Sequence, residues 1–206
     1  MYIQFKFGKV RIPVQSTLNI SEIFYSIQGE GRFIGTPMTF IRLAGCSLKC
    51  SWCDTKYSWE KGKTRFISHI IRDLPKPSSN KVCITGGEPT EQDLRPLVEA
   101  LRKEGYKIHL ETNGTREIER ELFDWITLSP KENWLWKNIE IADEIKCVIA
   151  KEEDLYKYKD LSKYKMQVYY IPVDNNLEIA KLIVDYIMKE KGVRLGWQLQ
   201  KTVNFK

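Results

Sequence analysis

The chain lacks any apolar run near the about 20 residues that cross a bilayer, and it has no internal repeat, low-complexity tract or Pro/Gly/Ser-rich linker. The missing span excludes a helical membrane anchor in the sequence as read. The N-terminal "MYIQFKFGKVRIP" sets Lys and Arg among its apolar residues and has no signal-peptide core, so a cytoplasmic location is expected. The missing linker leaves residues 1–206 as a single expected domain, with 1–17 as a short β-hairpin extension ("YIQFKFGKVRI"). Only two histidines occur, His69 and His109, and neither stands at ligand spacing from the cysteines clustered at 46–53. Each reads as a partly buried or surface histidine.

A hydrophobic fraction of 42% and a charged fraction of 29% exclude a disordered chain and suit one well-formed core. The net charge of +6 is scattered, and many of its lysines sit beside acids, as in "KEEDLYKYKDLSKYK". That pattern argues against direct nucleic-acid binding. A small anionic substrate accounts for the excess equally well.

Six short β-branched, apolar runs read as strands: "MTFIRLA" (38–44), "KVCIT" (81–85), "KIHLE" (107–111), "WITLS" (125–129), "EIKCVIA" (144–150) and "MQVYYIP" (166–172). Between them lie helical patterns. In "QDLRPLVEALRKEG" Leu94, Leu97, Val98 and Leu101 share a face before Gly105; "NNLEIAKLIVDYIMKEKG" starts at an Asn175 or Asn176 cap and stops at Gly192. Strands alternating with helices imply a parallel sheet, and six are too few to close an eight-stranded barrel. The loops after these strands carry "GCSLKCSWCDT", "TGGEP", "ETNGT", "SPK" and "PVDNN", so one rim is expected to gather the chemistry.

Cys46, Cys50 and Cys53 crowd into "AGCSLKCSWCDT" (44–55). A reducing compartment makes them ligands or core residues sooner than disulfides. A closed structural zinc site needs four donors, and no fourth is near; Cys83 and Cys147 lie in apolar strands and read as small buried thiols. A four-iron cubane takes one thiolate per iron, so three thiolates leave an iron open to another ligand. A partial metal site is the alternative reading.

The spacing Cys-x3-Cys-x2-Cys after a strand resembles the radical S-adenosylmethionine superfamily. The resemblance implies an α/β fold, a six-stranded partial, open TIM-like barrel with the N-terminal β extension. It also implies a 4Fe-4S cluster on Cys46, Cys50 and Cys53 whose open iron chelates S-adenosylmethionine, with one electron releasing a deoxyadenosyl radical. "TGGEP" resembles the superfamily's glycine-rich motif, which places Gly87 on the cofactor side, although Gly-Gly alone would suit a tight turn. Cofactor contacts are likewise implied for Ser51, Trp52, Ser129, Pro130, Lys131, Pro172 and Asp174, where loop packing and simple turns are the alternatives.

Within that superfamily the combination of "IQGEG", Arg42, "CSWCDT", "TGGEP" and "SPK" resembles the 7-carboxy-7-deazaguanine synthases over about residues 21 to 172. The implied substrate is 6-carboxy-5,6,7,8-tetrahydropterin, held by Ile27, Gln28, Gly29, Glu30, Arg42 and Thr85 and converted, with loss of ammonia, for queuosine or archaeosine biosynthesis. Gln28 and Glu30 can read the donor and acceptor edge of an aminopyrimidinone; without the resemblance, their segment reads as a surface turn. Mg²⁺ is implied at Thr55, a residue that could instead cap a helix. An electron donor such as flavodoxin or ferredoxin and a homodimer are implied as partners.

Three departures stand out. Ile171 replaces an amide before Pro172, the chain ends "LQKTVNFK" where the family carries Pro, and a single modest helix, "FISHIIRDL", separates the cysteines from "KVCIT". Lys206 could supply the substrate contact through its own carboxylate. A glycyl-radical activating enzyme and a non-catalytic iron-sulfur or zinc module are the competing functions.

Overall fold

The computed structural model describes residues 2–5, 8–11, 16–60, 62–75 and 78–206. Strands β1 (Tyr2–Phe5) and β2 (Gly8–Arg11) pair antiparallel with each other. The main sheet comprises β3 (Thr17–Ile27), β4 (Pro37–Leu43), β5 (Lys63–Phe66), β6 (Lys81–Gly86), β7 (Lys107–Thr112), β8 (Trp125–Leu128), β9 (Glu144–Ile149), β10 (Gln167–Pro172) and β11 (Val193–Leu195). Its order is β11-β10-β9-β8-β7-β6-β4-β3-β5. The six strands expected from sequence are β4 and β6 to β10, and every neighbouring pair among them is parallel. The sheet is open and nine-stranded, because β3 and β5 extend one edge antiparallel and β11 extends the other in parallel. β3 was hidden in sequence by its polar residues; "EIFYSI" pairs with β4 through Glu22↔Arg42 and Phe24↔Phe40.

The two faces of the sheet differ chemically. Residues such as Ile41, Leu43, Ile84, Leu110, Ile126, Leu128, Ile145 and Cys147 point to one side and form the core. Against that side the helices pack: α2 (Arg95–Lys103) on β7, α3 (Lys137–Ile141) on β8, α4 (Glu152–Lys157) on β9, and α5 (Leu177–Ile187) on β10 and β11. α1 (Ile67–Arg72) packs on α2, and α6 (Leu199–Val203) follows β11. The alternating partners, Arg42, Thr85, Glu111, Ser129 and Lys146 among them, occupy the opposite face. No helix among the described residues is long and apolar enough to cross a membrane.

Helix limits follow local chemistry. α2 begins at Arg95 with Pro96 in its first turn, later than the run from Gln92 suggests, and Gly105 takes φ +85 after its end. Asn176 caps α5, its side chain accepting from the Glu178 and Ile179 amides. Gly192 is not the stop of α5, which ends at Ile187; with φ +88 it turns the chain toward β11, against Ser162. Ile171 is buried in β10, where its side chain packs over Gly196.

The cysteine loop is docked onto the second parallel strand by glycines. The Gly87 amide donates to the Leu43 carbonyl (3.0 Å) and the Glu88 amide to that of Gly45 (2.8 Å). A Cβ on Gly86, at φ +141, would press into the Leu43 backbone, and one on Gly87 into the Gly45 carbonyl. Gly105, by contrast, has open space around it. Gly86→Ala is therefore expected to cost about 3 kcal/mol, combining overpacking and backbone strain, and Gly105→Ala about 1 kcal/mol from its positive φ alone. Urea denaturation of both variants checks the order; equal losses would contradict the docking.

Candidate active site

The carboxyl ends of the parallel strands surround a cavity of about 450 Å³, within the range of small-molecule sites. Its cysteine loop leaves β4 through Gly45 (φ +96) and turns at Lys49 (φ +45). The Cys53 amide donates to the Cys50 carbonyl (3.0 Å), the Ser47 amide to Glu91 (3.1 Å) and the Gly45 amide to Ser58 (2.8 Å). Cys46, Cys50 and Cys53 are all free and half-buried. Burial raises the Cys50 pKa, the Lys131 ammonium opposes that shift, and Cys46 and Cys53 raise it further. Three cysteines in one loop beside a lysine suit an iron-sulfur cluster, whose binding would take them as thiolates. Among the described residues no group of three or more His, Cys, Asp or Glu is arranged to hold a metal ion.

Thr55 occupies the cap position of a short turn, Lys56–Ser58, yet its hydroxyl makes no capping bond. That hydroxyl instead lies 3.6 Å from the Cys53 sulfur and 3.3 Å from Asp54 Oδ1, on the cavity wall. A neutral oxygen beside a carboxylate is suitable for a hard cation. Trp52 lies under Lys131, whose Nζ is 4.6 Å from the ring centroid and donates to Ser129 Oγ (2.7 Å). Burial lowers the Lys131 pKa.

Opposite the cysteine loop, the segment after β3 is fastened to the sheet. The Arg32 amide donates to Glu144 Oε2 (2.8 Å), whose other oxygen accepts from Thr127 (2.8 Å). Gly31 takes φ +66 and leaves no room for a Cβ beside that carboxylate. Phe33 meets His109 and Trp125 edge-on, which accounts for His109 being a buried packing residue; burial lowers its pKa to about 4. His69 is exposed.

This fastening delivers Glu30 to a buried lysine. Lys146 Nζ is 2.8 Å from Glu30 Oε2 and 2.5 Å from Glu111 Oε2, and Gln28 Nε2 donates to Glu111 Oε1 (3.0 Å). Gln198 and Gln200 both donate to Glu30 Oε1, at 2.8 and 3.0 Å. Burial alone would raise the Glu30 pKa, but the Lys146 charge and these donors lower it to about 2. Glu111 stays raised by burial despite the same lysine, whose own pKa is driven up by the surrounding carboxylates.

The C-terminal segment crosses the cavity. Gln198 also donates to Asp54 (3.2 Å), and Lys201 bridges Asp54 (3.1 Å) and Asp174 (2.7 Å). Asn175, at φ +53, donates to the Gln198 carbonyl (2.7 Å) and accepts from its amide (3.0 Å). On the far wall Glu22 accepts from Arg42 Nε (2.9 Å) and Tyr57 (2.9 Å), and meets Lys206 Nζ (2.5 Å). The Lys206 backbone oxygen accepts from Ser26.

Of the residues singled out in sequence, Ile27, Gln28, Gly29, Glu30, Arg42, Trp52, Cys53, Thr55, Thr85, Gly87, Ser129, Lys131, Asp174 and Lys206 line the cavity. Cys46, Cys50, Ser51, Pro130 and Pro172 lie outside its lining; the Pro130 carbonyl is taken by Tyr158, and Pro172 ends β10. The sequence reading missed Glu22, Tyr57, Glu111, Lys146, Gln198, Gln200 and Lys201. For Glu111 and Lys146 a signal existed: "KIHLE" and "EIKCVIA" place charges at alternate positions of buried strands, where a carboxylate and a lysine need each other. Cys83 and Cys147 are buried thiols with raised pKa values. Gly86 and Gly87 line the cavity as well, but the close approach that they permit is to the Leu43 and Gly45 backbone.

A partial parallel barrel with three cysteines in the loop after β4 defines a radical S-adenosylmethionine enzyme, and residues 40–132 match the model of the Radical SAM superfamily. The 7-carboxy-7-deazaguanine synthase of Escherichia coli (strain K12) is 36% identical over 218 residues, covering 90% of this chain and 97% of that protein. The synthase of the same name from Bacteroides thetaiotaomicron is 36% identical over 193 residues, with 91% and 98% covered. The crystal structure of QueE from Escherichia coli superposes with a TM-score of 0.77 at 29% identity, over 89% of this chain and 94% of that one. The chain belongs to the 7-carboxy-7-deazaguanine synthase family.

The Lys146 triad yields a pH-dependent prediction. With a folded pKa of about 2 against an ordinary 4.5, Glu30 contributes stability that is present above pH 4.5 and is lost as pH falls toward 2. Glu111, raised, acts in the opposite sense. Lys146→Met strands both carboxylates and is expected to cost about 3–5 kcal/mol at pH 7. The penalty should shrink as acid protonates them, which urea midpoints measured from pH 7 down to pH 4 will show; a constant difference would contradict the triad.

Proposed function

We propose that this chain converts 6-carboxy-5,6,7,8-tetrahydropterin to 7-carboxy-7-deazaguanine with loss of ammonia. The reading is carried by one observation: the cysteine loop and the Gln28–Glu30 segment face each other across a single cavity. Family membership implies a 4Fe-4S cluster and S-adenosylmethionine. When bound, that pair supplies a one-electron cleavage and a radical able to abstract hydrogen from substrate.

The chain's own residues then have separable tasks. Cys46, Cys50 and Cys53 hold the cluster, and Trp52, Gly87, Ser129, Lys131 and Asp174 line the cofactor side. Glu30 stays ionised beside Lys146, with three of a carboxylate's four acceptor sites already used, so that one site remains for a ring N–H. Gln28, fixed by Glu111 and by the Glu30 amide (3.2 Å), presents its amide alongside. Ile27, Gly29 and Thr85 complete the ring contacts. Arg42 offers a cation to the substrate carboxylate.

Mg²⁺ fits at Thr55, whose hydroxyl is free of capping duty and sits beside Asp54. There it would orient the substrate carboxylate and favour one course of rearrangement. A reduced flavodoxin or ferredoxin as donor, a homodimer and a cytoplasmic location complete the proposal. Neither a glycyl-radical activating role nor a non-catalytic module has support from the family relatives.

The test is an anaerobic assay of iron-reconstituted protein with reductant and S-adenosylmethionine. Product should form, fall when Mg²⁺ is withheld, and vanish in Cys50→Ala. Thr55→Val should lose about tenfold or more in activity and no longer respond to added Mg²⁺. Unchanged substrate, in the presence of a reduced cluster whose EPR signal shifts on adding S-adenosylmethionine, would sink the substrate assignment and leave the superfamily chemistry intact.

A further inference from the structure

Two cationic side chains converge on Glu22 at one wall of the cavity. Its Oε1 accepts from Arg42 Nε (2.9 Å) and from the Tyr57 hydroxyl (2.9 Å), while Oε2 meets Lys206 Nζ at 2.5 Å. Both cations also lie against one ring: Lys206 Nζ is 5.1 Å and the Arg42 guanidinium carbon 5.7 Å from the Phe24 centroid. Tyr57 flanks the guanidinium at 5.9 Å. One side-chain carboxylate is thus shared by two side-chain cations that repel each other on the cavity wall.

The directions of the donors matter. Arg42 spends Nε on Glu22, and among the described residues its two Nη groups have no hydrogen-bond partner, although the side chain is only 17% exposed. A fixed guanidinium with its terminal edge unused matches a carboxylate in bidentate geometry. The Lys206 side chain, 65% exposed, stands at the cavity rim beside it.

We propose that the ammonium of Lys206, seated by Glu22, is a specificity-determining group that joins the Nη edge of Arg42 in receiving the carboxylate of the substrate. The proposal rests on the pterin reading above and assigns to the lysine side chain a role for which the sequence suggested only the residue's own carboxylate. Glu22 is the positioning residue: it aims both cations and prevents the wall from carrying two unbalanced charges. The anionic ligand then takes the unused Nη edge of Arg42 and the ammonium beside it. Discrimination follows, because a ligand with no carboxylate gains nothing from this wall.

Binding of two ligands to the full-length, iron-reconstituted protein tests this under anaerobic conditions: 6-carboxy-5,6,7,8-tetrahydropterin and its 6-methyl counterpart, which lacks the charge. Lys206→Met should weaken the carboxylated ligand about fivefold, as expected for a partly exposed ion pair, and leave the methyl ligand unchanged. Lys206→Arg should restore the preference, and high ionic strength should reduce it in wild type. Thermal melts confirm that the variants fold. Equal weakening of both ligands would reduce Lys206 to a structural role, and wild-type binding in both variants would limit residue 206 to its main chain; either result overturns the proposal. Wild-type protein that binds neither ligand would instead overturn the pterin reading on which it rests.

Discussion

The buried ammonium of Lys146 is the interaction on which the rest of the site depends. It lies in the middle of β9 and is almost fully enclosed, and it is tolerable there only because Glu30 and Glu111 reach it from two other elements. Those elements must therefore be held in register. β7 brings Glu111 through the parallel pairing Glu111↔Thr127 and Thr127↔Glu144, and the turn after β3 brings Glu30. Removing the turn would leave the lysine with one acid, and removing β7 would leave it with the other.

From that centre the cavity is organised as a set of shared carboxylates. Glu30 is held by Lys146, Gln198 and Gln200, Asp54 by Gln198 and Lys201, and Glu22 by Arg42, Tyr57 and Lys206. Each carboxylate joins segments distant in sequence, so the cysteine loop, the Gln28–Glu30 segment and the C-terminal stretch are held in one arrangement. The opposite face of the sheet carries the apolar core and the helices. This division lets one face be stabilised by hydrophobic burial while the other keeps paired polar groups close together for binding.

Much of this was legible in sequence where the signal is local. The three cysteines mark the loop by a spacing that resembles the superfamily's, the six parallel strands show as β-branched runs, and the rim shows in the position of "TGGEP", "SPK" and "PVDNN" after those strands. Thr55 reads in sequence as either a cap or a metal ligand, and in the structure its hydroxyl makes no capping bond. Gly87, read as an approach for a ligand, lines the cavity and also lets the strand end dock on Gly45 of the cysteine loop. β3 went unrecognised because Asn19, Ser21, Glu22 and Ser26 interrupt its apolar residues, and of these Glu22 faces the cavity.

Sequence alone determined the local pattern: which thiols crowd into one loop, which strands are buried, and which loops follow them. These depend on contacts a few residues apart, which composition and period record directly. Only the tertiary structure decided which charges meet. Lys146 finds Glu30 across 116 positions and Glu30 finds Gln200 across 170. No local pattern encodes such pairs, since they are set by sheet register and by the return of the C-terminal segment over the cavity.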